Sequence, residues 1–159
     1  MIYTKYGDEG FTLTLSGQRV SKNNPIIKVN GDIDSLMASI DSIRLIFDFP
    51  ELRRISKRLW QLGGEISNQK IGEEIKKPIC TGDIEFLEEC INKMNISLEG
   101  FQTFNTELSV RINETRVRTR RLERTLTNYL EQTKLRATAY KYINRLSDFF
   151  FALAVTNNG

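Results

Sequence analysis

Two groups of residues in this 159-residue chain have types and spacings that do chemistry together. In the C-terminal half Arg116, Arg120 and Glu123 fall at i, i+4 and i+7, with Arg121 and Arg124 beside them, and Asn144-Arg145-Leu146-Ser147-Asp148 follows. At helical spacing Arg116, Arg120 and Glu123 share one strip, each one position after Thr115, Thr119 and Leu122. Two arginines one turn apart repel by roughly 0.2–0.5 kcal/mol. Glu123 alone cannot satisfy both guanidiniums, so the strip implies a partner anion. Asn144 and Asp148 share a face of the last helix, and Asp34 stands in the same flanking relation beside Ile33, where a neighbouring copy could bring it to an arginine.

The other group opens the chain as Thr4-Lys5-Tyr6-Gly7-Asp8-Glu9-Gly10. Closely spaced Gly7 and Gly10 permit a backbone whose successive N–H groups point at an anion, with Lys5 and Lys22 for charge and Thr12 for a hydroxyl. The loop is not a Walker A sequence and does not lead directly into a helix. Taken by itself it reads as a β-hairpin with turn glycines. The arginine strip also has alternatives: a solvated helix face with snorkelling side chains, or a nucleic-acid helix drawing on Arg111, Arg116, Arg118, Arg120, Arg121, Arg124 and Arg136. Glu107, Glu114, Glu123 and Glu131 interrupt that run, whereas phosphate tracking usually comes with a strongly basic domain. A glycine-spaced basic loop and a guanidinium–carboxylate face together are the equipment for binding a polyphosphate nucleotide.

Composition removes more chemistry than it adds. There is no histidine, which excludes Ser/His and Cys/His nucleophile pairs, histidine general bases and the commonest zinc ligand. The net charge of +3 is too small to argue for nucleic acid by itself. Cys80 and Cys90 lack CxxC spacing and no apolar run opens the chain, so a reducing cytoplasm is the expected compartment. The apolar stretch from Phe149 to Val155 is too short to span a bilayer and reads as core.

The elements that must position these groups follow from periodicity. At this length one domain, residues 1–159, can bury roughly 70% of its unfolded surface. Residues 1–31 read as an ordered loop with a short hairpin, since Phe11, Leu13 and Leu15 alternate. Helical periods take over in residues 32–156. Ile33, Leu36, Ile40, Ile43 and Phe47 make the first stripe, with Asp32 as N-terminal charge or cap. Pro50 suits the first turn of a second helix striped by Leu52, Ile55, Leu59, Leu62 and Ile66. A polar linker from Ser67 to Gly82 leads to a third helix carrying Ile84, Leu87, Ile91 and Met94, capped by Thr81 or Asp83. Leu108, Ile112, Thr115, Thr119, Leu122, Leu126 and Tyr129 alternate by fours and threes, the seam of an antiparallel bundle. Ile143, Leu146 or Ser147, Phe150 and Leu153 continue it in a fifth helix. The predicted fold is all-α, a five-helix up-and-down bundle behind an ordered N-terminal loop. Trp60 reads as packing or a subunit contact, and Cys90 as a small core residue.

These residues resemble the PduO-type ATP:cob(I)alamin adenosyltransferase family. Its opening T-K-T-G-D-x-G-x-T, then G-x-R-V-x-K, then G-x-x-D-E-L, is met without a gap. The matching residues are Thr4, Lys5, Gly7, Asp8, Gly10 and Thr12, then Gly17, Arg19, Val20 and Lys22, then Gly31, Asp34 and Leu36. Its R-x-x-x-R-R-x-E-R is matched by Arg116, Arg120, Arg121, Glu123 and Arg124, its N-R-L-S-D by Asn144 to Asp148, and its L-F-x-L-G looks like Leu59 to Gly63.

The resemblance implies a homotrimer with three active sites between subunits, ATP lying across each interface. Thr4, Lys5, Gly7, Asp8, Gly10, Thr12 and Lys22 would cradle phosphates. Arg116, Arg120, Glu123 and Asn144 would hold phosphates, Mg²⁺ and the nucleoside, and Asp34 would pair with Arg116 of the next subunit. Mg²⁺ would be bound mainly through ATP, with Glu123 as a candidate protein ligand. The implied reaction is displacement at the ribose 5′ carbon by cob(I)alamin, with triphosphate leaving. The co-substrate brings the nucleophile, which agrees with the missing histidine. A reductase or an adenosylcobalamin-dependent enzyme would be the protein partner, with no nucleic acid and no membrane.

Several positions depart from the family pattern. Its F-I-L-P-G-G stretch falls at Gly100 to Asn105, here Gly-Phe-Gln-Thr-Phe-Asn, so Gly100 takes the phenylalanine position and Phe101 stands one place away on the corrinoid side. Ser35 replaces a glutamate, Tyr6 a threonine, and Asn113 stands where histidine is common. These keep a second reading open: a bundle of the same fold that binds ATP or corrinoid without transferring the adenosyl group.

Overall fold

The computed structural model describes residues 2–3, 5–67, 78–97, 100–130 and 137–159. Thr4, the linker residues 68–77, Glu131 and Arg136 lie outside them. Two short strands, β1 (Phe11–Leu13) and β2 (Arg19–Ser21), pair antiparallel with Thr12 opposite Val20. The hairpin reading of the loop is therefore what forms. Gly17 closes the turn at φ +81°, donating its N–H to the Thr14 carbonyl at 2.9 Å, a backbone hand that favours glycine.

Five helices follow: α1 (Pro25–Arg44), α2 (Pro50–Ser67), α3 (Thr81–Met94), α4 (Glu107–Leu130) and α5 (Ala137–Thr156). The first starts well before Asp32, which corrects the expected boundary. Asn24 is its cap, accepting the Ile26 N–H at 2.9 Å, and Pro25 occupies the first turn, where its missing N–H costs nothing. Gly31 does not stop the helix. A mid-helix glycine costs about 1 kcal/mol against alanine, and burial of Val29, Ile33 and Leu36 around it outweighs that. Asp32 is thus a buried mid-helix residue and not a cap. Phe47 also falls outside the helix: it sits in the α1–α2 turn, more than half exposed, its ring 4.5 Å from that of Phe49.

The α2 stripe is as read, with Leu52, Ile55, Leu59, Leu62 and Ile66 all fully buried. At α3 the cap position is Cys80. The Asp83 carboxylate reaches back to the Cys80 N–H at 3.1 Å, so Asp83 contributes from the first turn, while Thr81 is exposed. Along α4 the narrow seam is satisfied internally: Thr115 and Thr119 are buried and donate their hydroxyls at 2.9 Å to the carbonyls of Arg111 and Thr115. On α5 Ile143, Leu146, Ser147, Phe150 and Leu153 face inward, and Cys90 is buried in α3.

The helices pack in the order α2, α1, α4, α5, α3. Two neighbouring pairs run antiparallel, α1 with α4 and α4 with α5. Asp32 and Ser35 of α1 meet Arg121 and Arg118 of α4 in reverse order, and Thr106 before α4 bonds the Asn157 carbonyl beyond α5. Arg54 and Arg58 of α2 both reach Asp83 of α3 and bring the two ends of the row together. Among the described residues no helix is long and apolar enough to cross a membrane.

Candidate active site

The two flanks of the α4 seam carry arginines of different standing. On one flank Arg121 pairs with Asp32 at 2.8 Å, Thr125 donates to the other oxygen of the same buried carboxylate at 2.6 Å, and Arg118 donates to the Ser35 hydroxyl at 2.6 Å. These side chains clamp α1 to α4. On the other flank Arg116 donates its Nε to the Asn113 side-chain oxygen at 2.8 Å and sits 5.7 Å from the centre of the Phe151 ring. Both of its Nη groups have no partner among the described residues. Burial, then the charge of Arg120, pull the Arg116 pKa down, the signature of a guanidinium that lacks an anion. Among the described residues the exposed Arg120 and Arg124 meet no carboxylate, and the half-buried Glu123 carboxylate and the exposed Asn144 amide are likewise without side-chain partners.

Asp34 is exposed on α1 and does not meet Arg116 within the chain. It lines a cleft of about 390 Å³ with Leu13, Met37, Trp60 and Gly63. Asp32 is the α1 carboxylate that takes an α4 arginine inside one chain, a pairing the sequence reading missed because the two residues are far apart along the chain.

In the N-terminal loop Lys5 adopts φ +58°, the left-handed region that a non-glycine residue rarely enters. The Asp8 N–H bonds the Lys5 carbonyl at 3.3 Å and the Gly10 N–H bonds the Gly7 carbonyl at 3.2 Å, so two turns follow one another. Gly10, at φ +82°, then sets the chain into β1, where Thr12 is half-buried. Lys22 folds across Gly7: its Nζ lies 3.0 Å from where a Cβ at position 7 would be. The loop thus brings the Lys22 ammonium onto Gly7, next to exposed Lys5 and Asp8. Within one chain no hydrogen bond or ion pair among the described residues joins this loop to Arg116, Arg120, Glu123 or Asn144. Thr4 lies outside the described residues.

Phe101 is almost fully exposed, at the rim of a cleft of about 560 Å³ that it lines with Phe104, Asn113, Arg116 and Phe151. One wall of this space is aromatic and the other carries the unpaired guanidinium. Phe151 was hidden inside the apolar run of α5 that reads as core, and its position on the helix flank is the signal that could have separated it. Among the described residues no group of three or more His, Cys, Asp or Glu could hold a metal. Glu123, without a side-chain partner among the described residues, is the carboxylate of the strip that could help hold a divalent ion.

A model of the family described as "Cobalamin adenosyltransferase" matches residues 2–157. The chain is 33% identical to a corrinoid adenosyltransferase of Citrobacter freundii, over 96% of this chain and 92% of that protein. It is 30% identical to the corrinoid adenosyltransferase PduO of Salmonella typhimurium over 96% of this chain and 48% of that protein, so it spans about half the length of that relative. Among solved structures, a variant PduO-type ATP:corrinoid adenosyltransferase from Lactobacillus reuteri complexed with cobalamin and ATP superposes with a TM-score of 0.87. The two are 26% identical, over 99% of this chain and 93% of that one. Taken with the five-helix fold and a flank of arginines without anions among the described residues, these likenesses make the protein a member of the cobalamin adenosyltransferase family, of the PduO type.

Proposed function

We propose that the protein transfers the 5′-deoxyadenosyl group of ATP to cob(I)alamin, releasing inorganic triphosphate, at sites formed between the subunits of a homotrimer. The observation that carries this is the desolvated, anion-less Arg116 beside Arg120, on a chain matched along nearly its whole length by an adenosyltransferase family. The likeness to a structure holding both cobalamin and ATP supplies the two substrates.

In this reading the electron pair of the reduced cobalt attacks C5′, the C5′–O5′ bond breaks, and the triphosphate leaves with that bond's electrons. The chain contributes no nucleophile and no general base. Its tasks are positioning and neutralisation of the charge that gathers on the leaving group. Lys5, Lys22 and the N–H groups of the Gly7–Gly10 turns, with Thr4, Asp8 and Thr12, hold the phosphates from one subunit. Arg116 and Arg120 approach the same phosphates from the next, Asn144 holds the nucleoside, and Asp34 docks on Arg116. Mg²⁺ would supply further neutralisation when bound with ATP, and Glu123 would be the carboxylate to help hold it. Phe101 and Phe151 wall the corrinoid side and keep water from the strongly reducing metal. A reductase or an adenosylcobalamin-dependent enzyme is the natural partner, and the cytoplasm, where free Cys80 and Cys90 persist, the natural compartment.

A second reading, binding of ATP or corrinoid without transfer, is favoured by one observation: Phe101 stands 96% exposed at the cleft rim and does not close over it. An anaerobic assay with reduced cobalamin, ATP and Mg²⁺ separates the two. Transfer yields the absorption spectrum of adenosylcobalamin and one triphosphate per turnover. Binding of ATP with no spectral change would sink the enzyme and leave the carrier.

A further inference from the structure

The α2–α3 seam, where the two ends of the helix row meet, holds a second set of cations that the proposed reaction does not use. A cleft of about 480 Å³ is lined, among the described residues, by Arg54, Lys57, Arg58, Gln61, Pro78 and Cys80, none of them a carboxylate. Behind it Asp83, 1% exposed, accepts Arg54 Nη2 at 3.1 Å and Arg58 Nε at 2.9 Å. Arg54 is further held by the Phe86 ring, 4.0 Å from its guanidinium carbon, and Arg58 by Gln61 at 2.8 Å. Two guanidiniums are thus locked in orientation by one buried anion. That carboxylate neutralises one of three positive charges. Among the described residues Arg54 Nε and Nη1, Arg58 Nη2 and the Lys57 ammonium have no partner.

We propose that this cleft is a binding site for an oligophosphate, either inorganic or the phosphate tail of a nucleotide, separate from the adenosyl-transfer site. A carboxylate ligand would use one guanidinium fork. Arg54 and Arg58 stand one helical turn apart, about 6 Å between Cβ atoms, and Lys57 lies between them, so a chain of phosphates can engage all three at once. The pre-set guanidiniums lose little rotamer freedom on binding, unlike the free side chains of an ordinary basic surface. No residue of α2 lines the cleft at Arg116, and α2 packs on α1, which separates the two regions.

The test uses the full chain carrying Lys5→Ala and Arg120→Ala to silence the transfer site, titrated with tripolyphosphate by calorimetry at low ionic strength. The expected result is one remaining saturable site per chain, weakened at least about tenfold by Lys57→Glu and, independently, by Gln61→Glu, each of which puts a carboxylate into the cleft. Both positions are at the surface and neither variant disturbs Asp83. ATP as competitor distinguishes the sources: displacement of tripolyphosphate identifies a nucleotide tail as a ligand, and no displacement restricts the site to the inorganic anion. Absence of the remaining site, or its persistence at unchanged affinity in both glutamate variants, overturns the proposal. Adenosyl transfer by the otherwise unaltered protein is read separately, so loss of this inference leaves the enzymatic one standing.

Discussion

The two flanks of α4 are made of the same residue type and behave oppositely. Arg118 and Arg121 find a hydroxyl and a buried carboxylate on α1, and their role is to hold two helices together. Arg116 and Arg120, nearly half a turn around the same helix, find no anion among the described residues, and one of them is desolvated nonetheless. A structural arginine is recognised by the partner that its own chain supplies. An arginine that the chain half-buries and leaves without an anion has been placed for something the chain does not contain. The same distinction separates Asp32, engaged, from Asp34, exposed two residues later.

The sharpest way to break this contrast is at Asp34. If it meets Arg116 of a neighbour in a largely buried pair, Asp34→Ala should cost about 3–5 kcal/mol of assembly, seen as dissociation in analytical ultracentrifugation at concentrations where the parent protein stays associated. Unchanged assembly would place Asp34 among the ordinary surface charges. Next in size, Arg120→Ala should lower kcat/KM for adenosyl transfer by about 10²–10³. Its melting temperature should stay that of the parent, since no in-chain partner is lost. A large fall in stability with intact turnover would reverse the assignment of the two flanks.

On the engaged flank the opposite pattern is expected. Asp32→Ala strips Arg121 and Thr125 of their acceptor and should cost roughly 1–2 kcal/mol in denaturant unfolding, kept small by the exposure of Arg121, with turnover per folded protein nearly unaltered. The smallest effect is a pH dependence at the other engaged carboxylate. Burial pushes the Asp83 pKa up, but the Cys80 N–H, Arg54 and Arg58 together outweigh it and hold the group below its usual range. A lowered folded-state pKa stabilises the fold above the unfolded value of about 3.9, and that contribution disappears as pH falls through the lowered one. Melting temperatures of the parent and Asp83→Asn should therefore differ at neutral pH and converge in acid below about pH 4. A constant gap across that window would mean that charge is not what Asp83 contributes.

Much of this was legible in the sequence because apolar periodicity is a local signal. The α2 stripe is the clearest case: five residues at helical spacing, all fully buried, behind a proline in the first turn. Legibility failed where a partner distant in the chain decides. Gly31-Asp32 has the look of a helix start, yet Asp32 is buried because Arg121 and Thr125 come to it from α4. The sequence offers Thr81 or Asp83 as the cap, yet Cys80 takes that position and Asp83 bonds its N–H from the first turn, and nothing local announces two arginines arriving from α2. At the site, the arginine strip and the glycine loop were visible as motifs. Their residue types report what each end can bind, and the single chain leaves them unjoined. The Arg116 environment of Asn113 and Phe151 was not legible, because one residue registered only as a departure from a pattern and the other as part of a greasy run.

The close approach of Lys22 to Gly7 carries one more consequence. A single methyl group at position 7 would contend with the ammonium for the same berth, and since that ammonium is the far end of a pliant side chain, the hairpin would tolerate the change while the lysine shifted by a few tenths of an ångström. Gly7→Ala is thereby a probe that alters aim without altering charge. It separates how much of the cradle's grip depends on electrostatic attraction from how much depends on where the attraction is pointed.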